Sequence, residues 1–156
     1  MSNVEIPNFG ELLAEHLSAV PAEAYPYLLS QLERTAAERY RGWAAEVTDH
    51  TEGLMACAAR EDEIADRVEA LFPPSEEHRA LVGGIIPEAK ATYYAAFEPY
   101  TAIEQMTIQA NAERQGAGAW QNLKAAYPDQ GEALDALSAI ELQSADYLDG
   151  LLAELS

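Results

Sequence analysis

Four long stretches of this chain place apolar residues at alternating steps of three and four, and each stretch sets one glutamate inside its own apolar stripe. Such steps line one face of an α-helix, and a face of that kind must be buried. A chain with four of them folds as helices around a shared core. The first stripe is Leu29, Glu33, Ala36, Tyr40, Trp43 and Val47; the second is Leu54, Ala58, Glu61, Ala65, Val68 and Phe72. The third is Ile103, Met106, Ala110, Glu113, Ala117 and Trp120; the fourth is Leu134, Leu137, Glu141, Ser144, Leu148, Leu151 and Leu155.

Prolines punctuate the pattern at Pro21, Pro73, Pro74, Pro87, Pro99 and Pro128, where the missing N–H and the ring disfavour a helix interior. The spacing therefore predicts long helices over 21–47, 49–72, about 100–127 and 130–155, and no β-hairpin. A short segment, 1–20, precedes them, with a helical start from Asn8, its cap, to about Ala19; Thr48 and Asp49 are expected to cap the second long helix. At 156 residues and 49% hydrophobic content, the expectation is one domain over 1–156: a first hairpin at 21–72, a crossover at 73–99 and a second hairpin at 100–155.

The two hairpins look like copies. Shifting the chain by 80 residues aligns 33–72 with 113–152 without gaps and gives 13 identities in 40 positions, five of them alanine. The informative matches include Glu33-Arg34 with Glu113-Arg114, Leu54 with Leu134, Glu61 with Glu141, Asp66 with Asp146 and Leu71 with Leu151. Glu33 lies 15 residues before Thr48 and Glu61 lies 13 after it; Glu113 and Glu141 keep the same distances from Pro128. Residues equally far from a turn sit at equal heights on antiparallel helices, so each hairpin should face one glutamate with another. For both pairs to share a level, 73–99 must run back along the bundle; its 27 residues at helical rise cover ~40 Å, and its glycines and prolines suggest a broken helix.

Two antiparallel hairpins, a long crossover and one seam glutamate per helix resemble the ferritin-like superfamily of carboxylate di-iron and di-manganese bundles. The resemblance covers about 21–155. It implies an all-α, ferritin-like four-helix bundle in which Glu33, Glu61, Glu113 and Glu141 are metal ligands. The family's usual set adds a histidine three residues after two of its glutamates. Here those positions hold Ile64 and Ser144. The implied site is thus degenerate and oxygen-only, suited to a hard cation such as Mn²⁺, Fe²⁺, Mg²⁺ or Ca²⁺, with Fe or Mn the cofactor of the family. No reaction follows from it; any enzyme activity implied by the resemblance is metal-dependent oxidation, with Tyr40 a remote redox residue.

A metal-free structural or interaction bundle, pairing with a second copy through an outer apolar face, is the alternative. Arg34, Arg60 and Arg114 adjoin three of the glutamates and would then neutralise them. His16, His50 and His78 fall at no ligand spacing from a seam glutamate. Tyr93, Tyr94, Phe97 and Tyr100 form an aromatic run expected to pack, and Gly116 and Gly118 suggest close helix approach. Nine Lys+Arg against 27 Asp+Glu give a formal charge of −18, which disfavours nucleic acid and anionic lipid. The opening Met-Ser-Asn-Val-Glu-Ile-Pro has no basic and apolar leader pattern, no stretch is apolar enough to span a membrane, and Cys57 is the only cysteine; a cytoplasmic protein is expected.

Overall fold

The computed structural model describes residues 4–155; residues 1–3 and 156, the ends of the expected 1–156 domain, lie outside it. The described residues are all-helical, with α1 (Phe9–Leu12), α2 (Ala14–Leu17), α3 (Tyr25–Glu46), α4 (Thr51–Leu71), α5 (Glu76–Ala95), α6 (Ala102–Leu123) and α7 (Gly131–Leu155). No described helix is long and apolar enough to cross a membrane. The four expected long helices are present as α3, α4, α6 and α7. The expected N-terminal helix is instead two short ones, interrupted at Leu13. The chain divides into two compact units, Gly10–Ala96 and the N-terminal residues through Phe9 together with Phe97 onward.

In the Gly10–Ala96 unit, α3 and α4 form an antiparallel hairpin closed by a 3-10 turn at Thr48–His50. The register is visible in its polar pairs: Gln31 donates to Glu69 at 2.9 Å, Arg34 to Asp66 at 2.8 Å, and Arg41 pairs with Asp62. Asp49 does not cap α4. Residue 50 occupies the N-cap position without a side-chain cap bond, and the Thr51 hydroxyl instead donates back to the Ala44 carbonyl at 2.6 Å, tying the turn to the end of α3.

The expected break in the crossover is corrected by α5, which runs unbroken through Gly83, Gly84 and Pro87. Ser75 starts it by accepting the His78 N–H at 3.1 Å, and packing on α3 sustains it. Val82 is buried with Ala24 and Leu28; farther along, the Tyr94 hydroxyl donates to the Thr35 carbonyl at 2.8 Å and Lys90 pairs with Glu38 at 2.5 Å. Position numbers rise together on the two helices, so α5 runs parallel to α3 and antiparallel to α4, the return direction the sequence required. Buried apolar surface thus outweighs the roughly 3 kcal/mol that an interior proline costs a helix. Pro87 is exposed, so Pro87→Ala is expected to stabilise the protein by up to about 3 kcal/mol in urea denaturation; an unchanged midpoint would mean that α5 bears no such cost.

In the other unit, α6 and α7 are antiparallel, with Arg114 paired to Asp149 at one end and Lys124 to Asp135 at 2.7 Å toward the other. A capping box opens α6: Thr101 accepts from the Glu104 N–H and the Glu104 carboxylate accepts from the Thr101 N–H. The Gln115 side chain fixes the N-terminal residues on α6, accepting from the Phe9 N–H and donating to the Pro7 carbonyl, both at 2.8 Å. Phe9 stacks on Phe97 with centroids 6.0 Å apart.

Candidate metal centre

Most stripe residues are buried. Tyr40, Leu54, Val68, Met106, Leu134, Leu137 and Leu148 are fully enclosed, and Cys57 is buried as expected. Three of the four glutamates are enclosed with them: Glu61 and Glu113 at 1% exposure and Glu141 at 2%. Glu33 is half-buried. Carboxylates are rarely this enclosed without a compensating interaction, because removing the charged form from water is costly.

In the first hairpin, Glu33 on α3 and Glu61 on α4 face each other, each offering a carboxylate oxygen within 4.8 Å of the other's. Bonds of ~2.0–2.6 Å from oxygen to a hard cation place two ligand oxygens no more than about 5 Å apart, so this pair fits one ion between them. Ile64, one turn beyond Glu61, is fully buried. Like charges at such separation disfavour simultaneous ionisation unless a cation or proton intervenes.

The second hairpin surrounds its glutamates differently. Gln109, buried one turn before Glu113, donates from Nε2 to the Glu113 carboxylate at 2.9 Å. Sequence reading passed over Gln109, although a spacing of four puts an amide on the same helix face as the glutamate. Ser144, fully buried, holds the position one turn beyond Glu141. Glu141 reaches toward α6 and lies against Gly116.

Two of the arginines that adjoin seam glutamates in sequence are engaged elsewhere. Arg34 bonds Asp62, Asp66 and Glu69. Burial works against its charge, but the hydrogen bonds it donates to Asp66 and Glu69 outweigh it and hold the guanidinium pKa above its ordinary value. Arg114 pairs with Asp149. Arg60 donates to the Cys57 sulfur at 3.1 Å. A buried arginine that the sequence did not single out, Arg39, lies over the Tyr93 ring at 4.2 Å, which gives the aromatic run its packing role. Tyr40 packs edge-on against Trp43 at 5.3 Å. His16 meets the Thr92 hydroxyl at 3.1 Å, and His78 sits in the first turn of α5.

The fold and site together define a helical protein with a carboxylate pair, one member buried and one half-buried, between two helices of a hairpin. No family model, curated protein or solved structure matches the chain.

Proposed function

We propose that this chain is a ferritin-like protein that binds hard divalent cations, Mn²⁺ or Fe²⁺ foremost, with Glu33 and Glu61 as ligands in the first hairpin and Glu113 and Glu141 as ligands in the second. The observation that carries this reading is the placement of Glu33 and Glu61 carboxylate oxygens within 4.8 Å of each other. Support also comes from Glu113 and Glu141 keeping the distances from the second turn that Glu33 and Glu61 keep from the first and from Arg34 and Arg114 being paired with other carboxylates. An all-oxygen set with Ile64 and Ser144 in place of imidazoles suits binding of Mn²⁺ or Fe²⁺ without assigning a reaction. The formal charge of −18 favours cations and disfavours nucleic acid as partners.

The test is a Mn²⁺ titration of the full chain followed by urea denaturation. Binding to the folded state alone stabilises it by about 2.7 kcal/mol when free Mn²⁺ reaches a hundred times Kd. A denaturation midpoint that does not move, with the free Mn²⁺ resonance signal undiminished by protein, contradicts the reading and favours a metal-free interaction bundle that pairs with a second copy.

A further inference from the structure

The duplicated hairpins have diverged at one position that decides where a carboxylate can lie. Gly116 on α6 is one turn beyond Glu113, on the same helix face. A methyl group built there would overlap a carboxylate oxygen of Glu141, and the carboxylate carbon would be only 3.0 Å away. The conformation of Gly116 is not the reason for the glycine, since no described residue has positive φ. What the glycine provides is room for α7 to lay a carboxylate against the backbone of α6.

The counterpart of Gly116 in the first hairpin is Ala36, a buried residue that carries the methyl group Gly116 lacks. Glu61, the counterpart of Glu141, offers a carboxylate oxygen within 4.8 Å of one on Glu33. Gly118, two residues farther along α6, has nothing within 4 Å of where its methyl would be. Helix propensity disfavours both glycines equally, so proximity to Glu141 alone distinguishes them.

We propose that Gly116 is a positioning residue for a metal ligand: it seats the Glu141 carboxylate against the backbone of α6, at a position where the first hairpin carries the methyl of Ala36. This rests on the metal reading above. A methyl at position 116 displaces the carboxylate, the far end of a flexible side chain, so the fold survives while the ligand geometry does not. Shortening the displaced side chain by one methylene withdraws it from the new methyl.

The experiment measures Mn²⁺ affinity, with Mn²⁺ alone as the probe, for the full chain, Gly116→Ala, Gly118→Ala, Glu141→Asp and the double variant Gly116→Ala/Glu141→Asp. Gly118→Ala is expected to bind as the wild type does. Gly116→Ala and Glu141→Asp should each weaken binding at least about tenfold, the lower end of what loss of a supporting group costs a metal site. The double variant should bind more tightly than Gly116→Ala, a rescue that a purely structural glycine would not permit. If Gly116→Ala binds like Gly118→Ala, or if the double variant is no better than Gly116→Ala or fails to fold with it, the positioning role is overturned while the metal reading stands. If the wild type binds no Mn²⁺, both fall.

Discussion

Glu61→Gln is expected to lower the affinity of the full chain for Mn²⁺ by more than about a hundredfold, beyond the ~10–100-fold that loss of an outer-sphere partner costs. The amide keeps the shape of the side chain and one carbonyl oxygen but removes the negative charge that a hard cation needs. The same change should act in the opposite direction on the metal-free protein. Glu61 is 1% exposed and has a Glu33 oxygen within 4.8 Å, so removing its negative charge relieves like-charge repulsion by on the order of 1 kcal/mol. Urea denaturation with chelator should therefore find Glu61→Gln more stable than wild type, and denaturation in excess Mn²⁺ should find it less stable. A variant that keeps wild-type Mn²⁺ affinity would remove Glu61 from the site, and one destabilised in both conditions would mark it as a structural polar residue.

The largest effect on stability is expected at Trp120. Its side chain is 1% exposed in the interior of α6, and Trp120→Ala should cost about 3–5 kcal/mol through lost burial and the cavity left behind. Trp120→Phe should cost less than about 1.5 kcal/mol. The indole N–H is buried and makes no hydrogen bond among the described residues, so deleting it breaks nothing and removes the cost of an enclosed, unbonded donor. Chemical denaturation of the two variants checks this directly. Equal losses would show that the indole nitrogen, rather than ring volume, is what the core requires.

The helices were legible because their stripes are continuous and their joints are marked by proline, glycine and turn residues. The pairing of Glu33 with Glu61 was legible from distances to a turn alone, since helical rise is constant. Period was less reliable at the ends and on second faces. Ile103 is 45% exposed and Leu155 37%; one opens α6 and the other closes α7, so both lie at the same end of an antiparallel hairpin, where neither helix extends to cover the other. Leu28 is buried in place of its stripe neighbour Leu29 because α5 covers a second face of α3 through Val82. The unbroken α5 was illegible for a related reason: local propensity registers Gly83, Gly84 and Pro87 as breaks, whereas tertiary packing on α3 decides the outcome. At the site, residue type disclosed the glutamates, but the seat at Gly116 required knowing which side chain arrives from the opposite helix.

The central claim is that the seam glutamates hold a metal ion, and the most direct measurement is elemental analysis of the full chain, purified without chelator or contact with an affinity metal, beside Glu61→Gln prepared identically. Near-stoichiometric divalent metal is expected in the wild type and its loss in the variant. A wild type that carries no metal and takes up neither Mn²⁺ nor Fe²⁺ on titration would contradict it.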